Sequence, residues 1–152
     1  MAPSAQRRLP ELRLAVQYAD DKDSAPTRPQ LRRWIRAACA QPAEVTVRFV
    51  GSEEGRRLNR DYRKKAYATN ILSFPYESAD RICGDLVLCL PVVKREAQEQ
   101  HKSPEAHCAH LIVHGMLHLQ GHDHETSQDD ADRMEAVERE ILAALGYPDP
   151  YA

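Results

Sequence analysis

Three histidines carry the clearest chemistry in this chain: His114, His118 and His124, set in the pattern H-x-x-x-H-x-x-G-x-x-H. The first two are four residues apart, so on a helix they project from one face, one turn above the other. Gly121 can end that helix in the left-handed conformation that residues with a Cβ resist. The chain can then double back and present His124 to the same point. Three neutral imidazoles converging in this way leave a tetrahedral ion one open position, as in catalytic rather than structural zinc sites. The expectation is one zinc ion per chain on His114, His118 and His124, with His114 also counted as catalytic.

A rival triad of His110, His114 and His118 is disfavoured by geometry. At a helical rise of about 1.5 Å per residue, His110 and His118 lie about 12 Å apart along the axis. One ion with bonds of about 2 Å does not easily take both. A lone histidine on an apolar helix is usually a packed, satisfied side chain, and His107, His110 and His122 are read in that way. The residue after the first ligand is equally telling. In H-E-x-x-H proteases it is the glutamate that serves as general base, and here it is Gly115. The cradle of a metzincin-like protease is present without the carboxylate that peptide hydrolysis requires.

The elements that must hold these residues follow from periodicity. Leu12, Leu14 and Val16 alternate with polar residues and predict a first strand. Helical spacing runs from Thr27 to Cys39, with Pro29 near its start. Glu44–Val50 predicts a second strand and Ser52 to about Tyr62 a second helix, with Glu53 and Glu54 in its first turn. Thr69–Phe74 predicts a third strand, closed by Pro75, which cannot sit inside a central ladder. Gly84–Leu90 is almost wholly apolar, as expected of a strand central in its sheet. A helix opens at Pro91 and runs to about Gln100. Ser103-Pro104-Glu105 supplies an N-cap, an N1 proline and a first-turn acid for the histidine-bearing helix. Ser127 starts a last helix with Met134, Val137, Ile141, Leu142 and Leu145 on one face, ended by Gly146 and Pro148. The expected architecture is α+β: a small mixed sheet of about four strands packed with about five helices.

A chain of 152 residues is the usual size of one domain, expected here to span 1–152. No apolar run is long enough to cross a bilayer, and the N-terminus has no apolar h-region of a secretory signal. Cys39, Cys83, Cys89 and Cys108 lack C-x-x-C spacing and read as thiols of a reducing compartment, which predicts a cytoplasmic protein without membrane attachment. The net charge of −2 hides an asymmetry. Arg56, Arg57, Arg60, Arg63, Lys64 and Lys65 cluster against Asp61 alone. Asp129, Asp130, Asp132, Glu135, Glu138 and Glu140 dominate the last helix. The basic run is a candidate phosphate-binding patch beside the metal, with the acidic helix facing away.

Several ordered motifs together identify a resemblance. Leu58-Asn59 with Tyr62-Arg63, Thr69-Asn70-Ile71-Leu72-Ser73-Phe74-Pro75, Gly84-Asp85-Leu86, and His114-Gly115 through His118-Leu119, Gly121 and Asp123-His124 are followed by Met134-Glu135 and Leu145-Gly146-Tyr147. Over essentially its whole length the chain resembles the YbeY family of endoribonucleases, also called rRNA maturation factors. It departs from the family's usual pattern at Tyr67-Ala68 and at His122. The resemblance implies a zincin-like fold with bound zinc, and cleavage of single-stranded RNA in maturation of the 16S rRNA 3′ end and in ribosome quality control. It implies as partners the small ribosomal subunit, one of its proteins and the Era GTPase. His114, His118 and His124 match the family's metal ligands, and Arg63 matches the arginine to which the family assigns a role in cleavage.

In such an enzyme the zinc would acidify a water or polarise a phosphoryl oxygen. Arg63 would clamp a phosphate through its planar fork. Asp123 would either orient a ligand imidazole or cap the turn after Gly121. No side chain identifies itself as general base. Two other classes are weighed against this reading: a non-catalytic ribosome-assembly factor with zinc, which three rather than four ligands argue against, and a metallopeptidase, which Gly115 argues against.

Overall fold

A computed structural model of the protein describes residues 10–63, 69–121 and 127–152, with Arg63 described by its backbone alone. In chain order the elements are β1 (Leu12–Tyr18), a short 3-10 turn (Lys22–Ser24), α1 (Arg28–Ala37), β2 (Ala43–Val50), α2 (Ser52–Arg63), β3 (Ile71–Tyr76), β4 (Ile82–Cys89), α3 (Leu90–Glu99), α4 (Pro104–Leu119) and α5 (Gln128–Leu145). The strands form one four-stranded sheet in the order β1-β2-β4-β3. β1, β2 and β4 are parallel, and β3 runs antiparallel to β4 on the outer edge.

The all-apolar end of β4 explains its place between β2 and β3. Leu86, Val87, Leu88 and Cys89 are all buried, as residues covered on both faces must be. The larger core joins β1, β2 and β4 to α1, α4 and α5 through Trp34, Phe49, Leu86, Ile112, Met116 and their neighbours. On the opposite face Val50, Leu72, Val87, Cys89 and Val92 meet Leu58 of α2. Arg48 of β2 fixes α2 to the sheet through a two-pronged bond to Glu54, at 2.8 and 2.9 Å.

Local signals account for the helix boundaries. Thr27 and Gln30 form a reciprocal capping box on α1. Ser103 accepts from the Ala106 amide at 3.0 Å at the start of α4, and Ser127 does the same for Asp130 at 3.1 Å on α5. Each such cap contributes about 1 kcal/mol. α5 ends on Gly146 at φ 92°.

The end of the third strand departs from expectation. Pro75 does not close the third strand; it lies within β3, opposite Gly84. The reason is topological. β3 is an edge strand, and there a proline's missing N–H need not remove an inner ladder bond. No helix among the described residues is long and apolar enough to cross a membrane.

Candidate metal centre and nucleic-acid cleft

α4 is apolar around most of its circumference, with Cys108, Leu111, Ile112, Val113, Met116 and Leu117 all buried. It passes through the middle of the protein against β3, β4, α1, α3 and α5. One stripe differs. His107, His110, His114 and His118 follow one another at spacings of three and four residues, and all four line a cleft of about 1090 Å³. The facing wall is the edge strand β3, with Tyr62 of α2 and Tyr151 of the C-terminal tail also lining it.

His114 and His118 meet within this stripe. Their rings are T-shaped at 4.6 Å between centroids, and their Nε2 atoms are 3.1 Å apart. Two imidazole lone pairs cannot face each other at that distance without a proton or a cation between them. Two nitrogens bonded to one tetrahedral ion at about 2.0–2.1 Å would be about 3.3 Å apart. The pair therefore fits two sites of a shared zinc. His124, the expected third ligand, lies outside the described residues, as do His122 and Asp123. Among the described residues no three His, Cys, Asp or Glu side chains form a metal-holding group.

Behind His114 is a charge that counting acidic residues along the last helix placed on the wrong face. Glu138 was expected on the acidic, outward side of the last helix, yet only 1% of it is exposed. Its Oε2 lies 2.9 Å from His110 Nε2 and 3.2 Å from His114 Nδ1. Its Oε1 accepts from the Tyr151 hydroxyl at 2.8 Å. Burial alone would push this carboxyl up, but hydrogen bonds from His110, His114 and Tyr151 bring it down to about 2. An ionised carboxylate only accepts, so His110 Nε2 and His114 Nδ1 must carry protons. With its proton on Nδ1, the His114 tautomer that can bind a metal has its lone pair on Nε2, the atom that faces His118. The Tyr151 hydroxyl is pushed up by burial and by its bond to Glu138, so it remains a donor.

The sequence carried a signal for Glu138. It sits four residues after Met134 and four before Leu142, both buried, so it lies on the apolar stripe of its own helix. A charge in such a stripe is buried and paired.

The other packed histidine, His107, contacts Glu96 at 2.9 Å through Nε2. Burial lowers its pKa, offset in part by Glu96. Glu96 also accepts from Asn70 Nδ2 at 3.0 Å, and Asn70 Oδ1 accepts from the Ile71 amide at 2.6 Å. The Thr69-Asn70 motif thus ties the start of the cleft's edge strand to α3 and α4. The Nδ1 atoms of His107 and His110 are buried and have no partner among the described residues.

Gly115 is explained by packing. A Cβ there would lie 2.8 Å from Leu86 Cδ2 and 3.0 Å from Ile71 Cδ1, so α4 rests on the sheet at this point. A side chain at this position would have to displace the ends of Leu86 and Ile71.

The basic run lies on α2. Arg56, Arg57 and Arg60 are exposed and, with Glu53, line a concavity of about 220 Å³. Two residues further along, Tyr62 is 64% exposed and packs edge-on against Phe74 of β3, with centroids 5.0 Å apart. The helix carrying the arginines therefore ends at the mouth of the histidine cleft. The Arg63 side chain, Lys64 and Lys65 lie outside the described residues.

A four-stranded mixed sheet with one antiparallel edge strand, and a central helix presenting paired imidazoles beneath that edge, defines a zincin-like α+β protein. The solution structure of TM1509 from Thermotoga maritima shares the fold, with a TM-score of 0.58 at 23% identity over 88% of this chain and 91% of that one. The family profile described as endoribonuclease YbeY matches residues 17–146. The endoribonuclease YbeY of Aromatoleum aromaticum is 60% identical over 144 residues, covering 93% of each chain. That of Methylibium petroleiphilum is 58% identical over 144 residues, covering 94% of this chain and 96% of the relative. The chain belongs to the endoribonuclease YbeY family.

Proposed function

We propose that this protein is a zinc-dependent endoribonuclease specific for single-stranded RNA, its 152 residues acting as one domain. The observation that carries the reading is the cleft itself, where the Nε2 atoms of His114 and His118 face each other at 3.1 Å beneath an edge strand. His114, His118 and His124 would hold one zinc ion. When bound, the ion supplies Lewis acidity at a phosphodiester.

The chain's own residues do the rest. Glu138 holds the proton of His114 on Nδ1. Arg63, with five donors in a rigid fork, clamps a phosphate in two-pronged fashion and positions the scissile bond. Arg56, Arg57 and Arg60 supply sequence-independent attraction for the strand. Exposed Tyr62, adjoining Arg63 at the cleft mouth, offers a face on which an unpaired base stacks; duplex bases are already stacked on one another.

The substrate in the cell is the 3′ end of 16S rRNA, with a role in ribosome quality control. The partners are the small ribosomal subunit, one of its proteins and the Era GTPase. Family membership supports these assignments, and four free thiols support a reducing, cytoplasmic setting. The test is cleavage of a labelled single-stranded RNA beside a duplex of the same sequence. Cleavage of the single strand alone, lost with chelator and restored by zinc, is expected, and Arg63→Lys should keep fold and zinc while losing most cleavage. Intact RNA with zinc-loaded parent protein, or parental rates in Arg63→Lys, would overturn the corresponding assignment.

A further inference from the structure

We propose that Glu138 is the positioning residue of the metal site, fixing the tautomer and orientation of His114, and that the C-terminal tail completes the site by bracing Glu138 through Tyr151. The inference rests on the reading of His114 as a zinc ligand. It adds to that reading two residues that lie outside the ligand set and on other segments of the chain.

The geometry assigns each partner a separate task. His114 Nδ1 donates to Glu138 Oε2 at 3.2 Å, so its other nitrogen is left to face His118. Free histidine side chains exchange between two neutral tautomers, and a metal-ligating imidazole is commonly held in one by a carboxylate on its second nitrogen. Glu138 must itself be kept from rotating. His110 does this on the Oε2 side at 2.9 Å and Tyr151 on the Oε1 side at 2.8 Å. The Tyr151 ring also packs edge-on against His110, with centroids 5.3 Å apart.

The tail that carries Tyr151 is fastened along its length. The Tyr147 hydroxyl donates to Glu105 at 2.6 Å and accepts from Trp34 Nε1 at 3.1 Å. Lys102 Nζ donates to the Pro150 carbonyl at 2.9 Å. Asp149 accepts from Arg139 Nε at 3.2 Å and from the Tyr151 amide at 2.8 Å. These bonds from α1, α3–α4 and α5 leave Tyr151 little freedom over the carboxylate. A tail serving only to cover α5 would not need its hydroxyl aimed at a buried charge.

The experiment uses the full chain and zinc ion as probe, with affinity read by competition against a chromophoric chelator. Removing such outer partners of a metal ligand typically lowers affinity 10- to 100-fold. That loss is expected for Glu138→Ala, and a severalfold loss for Tyr151→Phe, which keeps the ring and removes only the hydroxyl. A second readout needs no metal. In the metal-free parent, histidine nitrogen chemical shifts should place the His114 proton on Nδ1, and in Glu138→Ala they should report a tautomer mixture. Parental affinity together with the parental tautomer in a folded Glu138→Ala protein would overturn the proposal. If Glu138→Ala does not fold, the same result in Tyr151→Phe overturns it. If instead the parent binds zinc no better than His118→Ala, the assignment of the ligands fails first.

Discussion

Replacing Gly84 with alanine tests how closely the cleft's supporting elements are packed. A Cβ at this position would lie 2.8 Å from the Phe74 carbonyl oxygen and 2.5 Å from Leu119 Cδ2. Phe74 belongs to the neighbouring edge strand, and Leu119 directly follows His118. Restoring contacts of about 3.5 Å would require displacements of about 0.7 to 1 Å. Overpacking of this kind costs about 1–3 kcal/mol, and a backbone oxygen cannot swing aside as a side chain can, which puts the cost near 3 kcal/mol. Alanine recovers about 0.5–1 kcal/mol in a strand interior through its lower unfolded-state entropy. The net expectation is about 2 kcal/mol of destabilisation, equivalent to a fall of about 4–8 °C in Tm for a domain of this size. Thermal unfolding should be followed after chelator treatment, because bound zinc adds its own stabilisation. The displacement should also pass through Leu119 to His118 and weaken zinc binding. A Tm equal to or above the parent's would refute the close approach of α4, β3 and β4.

Reversing Arg56, Arg57 and Arg60 to Glu should weaken binding to every single-stranded RNA without changing zinc content. The slope of log affinity against log salt should also flatten by about 0.7 per lost phosphate contact; unchanged affinity at low salt would show that the strip is only a solvated face. Burial pushes the Cys108 thiol up to about 12 from 9.0, so the folded protein holds it neutral while the unfolded chain ionises. That contribution is present below pH 9 and is lost as pH rises from 9 to 12, by up to about 4 kcal/mol. Denaturant unfolding across this window should be less pH-dependent in Cys108→Ala, and identical pH slopes would contradict the burial.

The elements were legible in the sequence wherever a local signal was sufficient. Alternation marked β1 and β2, capping residues marked α4 and α5, and the apolar run of β4 announced an inner strand. Pro75 was misread because a proline's tolerance depends on whether its strand is an edge, and strand order is a property of the whole sheet. The pair His114 and His118 was legible from helical spacing alone. Glu138 was not, because counting it with its acidic neighbours hid its place between Met134 and Leu142. Tyr151 left no signal, since its role depends on a tail folding back across three helices. Gly115 was read for the glutamate it replaces, and the structure adds its close packing against Leu86 and Ile71.

The central claim is a zinc site made by His114, His118 and His124, and the zinc content of the purified protein tests it most directly. One zinc per chain in the parent, falling to a small fraction in His114→Ala and in His124→Ala while both remain folded, is the predicted result. Undiminished stoichiometric zinc in either variant would contradict it.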